Sequence, residues 1–350
     1  MTLQHKCTGT LTFQNFGLDD NVIEVLPPEL MVLSGLTMLS LQRNRLKYIP
    51  PECGLLTSLV RLYLNDNHLT QIPLSFGLAK SLTEVDLQNN GDWQTPPAEV
   101  VQQGSAMIVN YLHKFGDAFH SRKLVLEAMK LEAFPRDCFR FMEHFGPLNP
   151  LPLLTISVRH NKVPTLPEDI SQLTALEQLM LDENEFETFP ETMGELFNLR
   201  VLSFCKNYFN TFPDQISECS RLESLKMSEN AMVRLHPGVG KLTQLTVLEV
   251  DHDKILEPSI QVLSQGCAAI VRYLGQINDA LKTLHLHLPN FKLVTFPREL
   301  VHSPTHPVPQ AGRLLTVSLP GNKMVQILKS TQCSNFYIVN ILGHCLLRIC

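Results

Sequence analysis

The chain has 350 residues and a mass of 39.6 kDa, which suits one large domain or two to three ordinary ones. Hydrophobic residues make up 44% and charged residues 18%, and these globular values argue against long disordered segments. Lys and Arg number 29 against 34 for Asp and Glu, so the net charge of −5 lacks the basic character expected of a nucleic-acid binder.

The N-terminal residues and the cysteines favour a cytoplasmic protein. Residues 1–17 lack the basic and then apolar pattern of a secretory signal, and no run reaches the roughly 18 apolar residues of a membrane span. The nine cysteines are an odd number without a C-x-x-C pair, so neither a disulfide framework nor a zinc site is predicted. We expect no metal, no cofactor and no membrane span.

A period of 23 residues organises most of the chain. Asparagines recur at this spacing in two runs, and in the first run a proline follows each asparagine at the same step. A fixed step over so many turns is typical of stacked structural repeats. The asparagines are Asn44, Asn67, Asn90, Asn161, Asn184, Asn207 and Asn230; Asp253 takes the next slot and Asn322 a later one.

The repeat resembles the leucine-rich repeat, L-x-x-L-x-L-x-x-N-x-L-x-x-(I/F/L)-P, over nearly the whole chain. The resemblance implies an α/β solenoid, a curved horseshoe with parallel β-strands on its concave face and short helices or turns on its convex face. Leu62 and Leu64 alternate as a strand with one buried face requires. Asn67 and the asparagines that match it are expected to form a structural ladder, because an unpaired buried amide costs about 1–3 kcal/mol.

Two similar segments interrupt the repeat, one ending at Leu112 and the other at Leu274. Both are expected to form amphipathic cap helices. They resemble helices that close the repeat arrays of the intracellular Ras-group class (Ras-suppressor-like and plant Ras-group-related proteins) and of Roc-COR proteins. The predicted organisation is a first repeat block with its cap helix (8–112), a linker (113–120), a second block with its cap helix (121–274), a linker (275–282), an incomplete third block (283–328) and an apolar C-terminal tail (329–350).

Each block begins with an atypical coil. We align Phe16 with Met129 and expect a hydrophobic residue in place of the ladder asparagine in all three entry coils. The tail leaves three alternatives open. It is a segment that caps the open end, a truncated or misjoined gene end, or a lipid or membrane anchor at Cys345 and Cys350.

The sequence contains no catalytic constellation. It has no phosphate loop, no H-E-x-x-H, no G-x-S-x-G and no kinase signature, so we expect no enzyme activity. His285 and His287 lie two apart on a predicted strand and would bind zinc only if a third ligand converged on them. Cys205 lies in an outward strand slot, either as a reactive thiol or as an ordinary surface cysteine.

The outward side chains of the strands form the candidate binding face. In a solenoid they make one continuous surface, on which ten acidic residues stand against six basic ones. An apolar contact ringed by acids suits a partner with a basic patch. The predicted partner-binding residues are Tyr63, Asp66, Glu84, Asp86, Glu177, Met180, Asp182, Glu183, Glu229, Glu249 and Asp251.

We therefore expect a non-catalytic scaffold or adaptor that binds a protein partner on its concave face. The resemblance implies intracellular signalling, with a small GTPase or a kinase-pathway component as the partner. The alternative is a regulatory repeat region truncated from a larger enzyme of the Roc-GTPase or kinase type.

Overall fold

The computed structural model describes residues 13–295, 297 and 316–323. The chain divides into two compact units, Met1–Val163 and Pro164–Cys350. Residues 8–12 of the predicted first block and the predicted tail, residues 329–350, lie outside the described residues.

The first unit contains a parallel sheet with one three-residue strand per coil. Residues 23 apart lie side by side, as Leu39, Leu62 and Val85 do. These middle residues are buried, and their neighbours along each strand point to the opposite face. The strands are β1 (Asn15–Gly17), β2 (Met38–Ser40), β3 (Arg61–Tyr63) and β4 (Glu84–Asp86), followed by the parallel pair β5 (Lys123–Val125) and β6 (Thr155–Ser157).

The second unit repeats this arrangement. Four strands pair in parallel and in chain order, and a further parallel pair follows. Between the layers, the rings of Phe189, Phe204 and Phe209 pack with centroids 4.8–5.3 Å apart. The strands are β7 (Gln178–Met180), β8 (Val201–Ser203), β9 (Ser224–Lys226), β10 (Val247–Glu249), β11 (His285–His287) and β12 (Thr316–Ser318).

Short 3₁₀ segments form the return side of the coils. Most begin directly after a proline, as at Pro50, because the fixed φ of proline positions the chain for a helical turn. The predicted α/β solenoid of parallel strands and short helical turns is confirmed. The 3₁₀ segments are Pro28–Val32, Pro51–Leu55, Leu74–Leu78, Arg136–Cys138 and Gly146–Leu148 in the first unit, and Glu168–Gln172, Glu191–Glu195, Asp214–Glu218 and Pro237–Lys241 in the second.

The cap helices extend through the segments that the sequence predicted to be linkers, residues 113–120 and 275–282. The reason is that the apolar stripe continues past Leu112, with Phe115 and Ala118 buried. No helix in the described part of the chain is long and apolar enough to cross a membrane. The α-helices are α1 (Ala98–Val101), α2 (Ser105–Ser121), α3 (Phe141–Phe145), α4 (Ile260–Leu263) and α5 (Cys267–Thr283).

Glycine starts both long cap helices. Gly104 precedes α2 with a φ of 87°, and Gly266 precedes α5 with a φ of 86°. Glycine adopts this left-handed region without steric cost. This conformation explains why both caps have a glycine at this position.

The alignment of the first entry coil was wrong. Phe16 lies in the middle of β1, so it matches the middle of β5 and not Met129. The ladder slot of this coil is held by Asn21, whose Nδ2 donates to the carbonyl of Leu18 at 3.1 Å. Only the later two entry coils carry a buried hydrophobic residue there, Met129 and Phe291. Apolar residues three apart occur both in the strand and in the return side of a coil. Their spacing alone therefore does not show which part of the coil Phe13 and Phe16 belong to.

The second entry coil is longer than the regular repeat. Leu124 of β5 lies beside Ile156 of β6, a step of 32 residues where the regular coils step by 23. The additional residues form α3 and the 3₁₀ segment Gly146–Leu148, and α3 packs on the 3₁₀ segments Pro51–Leu55 and Leu74–Leu78.

Candidate protein-binding face

A ladder of buried amides runs along one edge of the strand face. Nδ2 of Asn67 donates to the carbonyl of Leu41 in the preceding coil at 2.9 Å and to Leu64 in its own coil at 3.1 Å. Its Oδ1 accepts from the amide of Leu46 at 3.0 Å, so one side chain satisfies backbone groups of two coils. The same two-coil pattern occurs at Asn44, Asn90, Asn161, Asn207, Asn230 and Asn322, and Asn184 donates to two carbonyls of its own coil.

The residue before the ladder asparagine is left-handed in the regular coils, with a φ of 55° at Glu183 and 56° at both Lys206 and Glu229. Charges in this row alternate, and they pair across coils. Nζ of Lys206 lies 3.0 Å from a carboxylate oxygen of Glu183 and 4.0 Å from one of Glu229. In the first unit, Asp20 and Arg43 pair in the same row. Some of the predicted contact acids are therefore neutralised by their neighbours.

The predicted contact residues of the first unit form a polar surface whose members also pair with one another. Tyr63 is half-buried, and its burial, together with the neighbouring Glu84, raises its pKa. Asp86 accepts from the backbone amide of Gln88 at 3.0 Å. Asp66 accepts from the side-chain amide of the next coil at 2.8 Å.

The predicted contact residues of the second unit include both half-buried and exposed side chains. Glu177 precedes β7 and Met180 ends it, and both are half-buried. Glu249 is exposed at the end of β10 and lies 3.3 Å from Nζ of Lys226. Asp251 is half-buried and accepts from the backbone amide of Glu229 at 2.7 Å.

Asp182 joins two coils and is not only a surface charge. Its carboxylate accepts from the hydroxyl of Ser203 and, at 2.8 Å, from the backbone amide of Cys205. Asp19 of the first unit does the same, accepting from Ser40 at 2.6 Å. Reversal of Asp182 to Lys would therefore disturb the fold as well as the surface charge, since it would remove an acceptor from the hydroxyl of buried Ser203 and from the amide of Cys205.

The charge of the face is divided unevenly between the units. Three of the ten predicted acids lie in the first unit, together with three of the six cations, Arg43, Arg61 and Arg159. Seven acids and the remaining three cations, Arg200, Lys206 and Lys226, lie in the second unit. Seven minus three leaves four excess negative charges, all of them in the second unit.

The structure also places the residues considered for metal binding and thiol chemistry. His285 and His287 are exposed on the same face of β11. Among the described residues, no group of three or more His, Cys, Asp or Glu side chains is arranged to hold a metal ion. Sγ of Cys205 accepts from the hydroxyl of Ser228 at 3.2 Å, and partial burial raises the pKa of this thiol.

Comparisons with known proteins agree with the repeat. A family model described as leucine-rich repeat region matches residues 119–319, and a leucine rich repeat model matches residues 13–69 and 34–91. No curated protein matches the chain.

Three solved structures illustrate the similarity. A leucine-rich-repeat protein of Leptospira interrogans is 25% identical, with a TM-score of 0.39 over 86% of this chain and 76% of that one. An internalin of Listeria monocytogenes is 17% identical, with a TM-score of 0.33 over 95% and 87%. The repeat ectodomain of a membrane receptor kinase of Arabidopsis thaliana is 23% identical, with a TM-score of 0.33 over 67% of this chain and 32% of that one. Because one family model alone spans more than half of the sequence, the chain belongs to the leucine-rich repeat family.

Proposed function

We propose that this protein is a non-catalytic scaffold or adaptor that binds a protein partner through the strand face of its coils. Leucine-rich repeats are in general protein–protein interaction modules, which supports the proposal that this chain binds a protein partner. The observation that supports a basic partner is the charge of the predicted contact set: among its ten acids and six cations, the excess of four negative charges lies in the second unit.

The partner that fits this face carries a basic patch. Charge complementarity of this kind chiefly sets the association rate and its dependence on salt. Glu177 and Glu229 are suited to contribute, because neither accepts the hydroxyl and amide bonds that tie Asp182 to the next coil. Glu229 is also exposed, with Nζ of Lys206 4.0 Å away, against 3.0 Å for Glu183. We further propose a cytoplasmic signalling setting, with a small GTPase or a kinase-pathway component as the partner; this part depends on the resemblance of the cap helices.

The test begins with affinity capture of partners by the full chain and continues with association rates measured by surface plasmon resonance. The double variant Glu177→Lys/Glu229→Lys should associate several-fold more slowly, and rising salt should slow the unaltered chain. The matched control is Glu168→Lys/Asp169→Lys, which reverses two exposed acids of the same unit on a 3₁₀ segment. If both double variants associate equally fast, the binding site is elsewhere.

A further inference from the structure

A cavity of about 190 Å³ lies in the first unit, bounded by the additional helix α3. Pro51 and Pro73 form part of an apolar wall together with two isoleucine side chains. Gln71, Arg140 and His144 belong to a polar wall. The cavity, which is partly open to solvent, therefore offers an apolar lining and a separate set of hydrogen-bonding groups.

The polar wall has hydrogen-bond donors that are not engaged. Nε of Arg140 donates to Oε2 of Glu143 at 2.8 Å, and its Nη1 donates to Oε1 of Gln71 at 3.2 Å. Nη2 of Arg140 and the amide nitrogen of Gln71 make no hydrogen bond with the described residues. A ligand that supplies acceptors completes this wall.

His144 adds a buried ring nitrogen to this wall. It is only 6% exposed, and its Nε2 has no hydrogen-bond partner among the described residues. The nearest carboxylate oxygen, Oδ1 of Asp137, is 3.6 Å away, which is too long for a hydrogen bond. That carboxylate already accepts from the hydroxyls of Tyr111 and Thr95, each at 2.5 Å. A buried nitrogen in this state is unfavourable until a hydrogen-bond partner reaches it.

The second unit does not build the same wall. At the positions that correspond to Pro51 and Pro73, it has Asp214 and His236. Nδ1 of His236 lies 3.2 Å from a carboxylate oxygen of Asp214, so a pair of polar side chains replaces the apolar surface. The cavity therefore belongs to one coil pair and to the helix inserted beside it, and it is not a general feature of the repeat.

We propose that this cavity binds a carboxylate attached to a small apolar body. Arg140 and His144 supply donors to the carboxylate, for which a guanidinium group is especially suited. The proline and isoleucine side chains contact the apolar body. The volume admits one side chain of about the size of leucine and is below the roughly 300 Å³ of an ordinary drug-sized site. The carboxylate comes either from a free short-chain acid or from the C-terminal residue of a peptide. This site is separate from the strand face and does not depend on the function proposed for it.

Titration of the full chain with each probe, monitored by calorimetry and by NMR, tests the proposal. The two acidic probes are 3-methylbutanoate and N-acetyl-Gly-Leu, and their amides are the matched neutral probes. At least one acid should bind saturably and about tenfold or more tightly than its amide, because a charge-assisted hydrogen bond is lost with the charge. If both acids bind, the site accepts free short-chain acids as well as C-terminal residues. If only N-acetyl-Gly-Leu binds, the site is specific for the C-terminal residue of a peptide.

Two variants of the polar wall and one control connect binding to the cavity. Arg140→Gln should weaken binding of the acid about tenfold or more, and Glu143→Gln should maintain or tighten it because a competing carboxylate is removed. Lys80→Gln removes a cation from an exposed ion pair with Asp117 in the same unit and should leave the affinity unchanged. Circular dichroism checks that each variant is folded.

Three results would overturn the proposal. These are the absence of saturable binding of either acid up to about 10 mM, equal binding of acids and amides, or unchanged affinity in folded Arg140→Gln.

Discussion

Single polar side chains hold neighbouring coils together in this protein. Asn207 is buried, and its Nδ2 donates to the carbonyls of Leu181 at 3.1 Å and Phe204 at 3.0 Å, which belong to two successive coils. Its Oδ1 accepts from the amide of Phe186 at 3.0 Å. Leucine has a similar volume but none of these groups, so it would leave three backbone groups without their partner.

We predict that Asn207→Leu lowers the free energy of unfolding by about 1–3 kcal/mol. Urea unfolding followed by circular dichroism measures the change. Asn210→Leu is the matched control, since Asn210 lies in the same coil and is exposed, and it should change the free energy by less than about 0.5 kcal/mol. Equal losses in the two variants would contradict the structural function of the ladder amide.

Burial also controls the reactivity of the cysteine thiols. Cys53 and Cys138 are fully buried, and burial raises the pKa of both thiols; it raises that of Cys219 to about 12. Because the thiolate is the reactive form, a raised pKa reduces the reactive fraction at a given pH, and burial also blocks access. Cys205 and Cys267 are less buried.

We therefore predict that iodoacetamide at pH 8 modifies Cys205 and Cys267 well before Cys219 in the folded chain. A time course analysed by peptide mass spectrometry measures the order. In urea, the three rates should converge. Fast labelling of Cys219 in the folded chain would mean that the coil around it opens readily.

The long cap helices make backbone contact with the 3₁₀ layer. A Cβ atom added to Gly77 would lie 1.8 Å from the carbonyl oxygen of Leu112 in α2, and one added to Gly116 would lie 2.0 Å from the carbonyl oxygen of Gly77. These two glycines therefore set how closely the helix approaches the coil. A larger residue at either position must push the helix away from the core that Phe115 fills.

We predict that Gly77→Ala lowers the free energy of unfolding by about 1–3 kcal/mol or more, because the backbone cannot yield as a flexible side chain does. Chemical unfolding of the full chain measures this loss. Gly35→Ala, in the same unit, has open space around the added Cβ and should have little effect. If Gly77→Ala is as stable as Gly35→Ala, the helix and the coil are not in close contact in solution.

Elements differ in how far the sequence predicts them. The strands and the asparagine slots follow from a 23-residue period that many coils repeat, so each coil supports the interpretation of the next. The end of α2 is less visible, because past Leu112 the stripe consists of only Phe115 and Ala118 among polar residues such as Lys114 and Asp117. Helix α3 has only five residues, too few for a helical period to be recognised.

The candidate face was predictable in its composition but not in its pairing. Outward slots follow from strand alternation, which identifies Glu84 and Glu249 as surface acids. The hydrogen bonds of Asp182 to the next coil were not predictable in this way. They depend on the distance between two adjacent coils, and the residue composition of the face gives no information about that distance. One signal was available, since the opposite charges of Glu183 and Lys206 lie one period apart and hence side by side.

The whole chain is stabilised mainly by contacts between successive coils. In such arrays the free energy of unfolding is close to the sum of contributions from the single coils and from the interfaces between neighbouring coils. The loss of one end therefore leaves distant coils folded. We predict that a chain ending at residue 330 retains the far-UV circular dichroism of both units and the unfolding transition of the first. Loss of the first unit on truncation would show that the C-terminal residues are needed well beyond their own coil.

The coil-to-coil bonds have a mechanical consequence for the second unit. If the stack were pulled along its length, every interface between coils would carry the same load in series, and the weakest one would yield first. Asn207 and Asn230 join their coils through buried amides, whereas the β10 coil has the exposed Asp253 in that slot. We therefore expect the β10 coil to separate from the β9 coil before the coils joined by Asn207 and Asn230 separate from their neighbours.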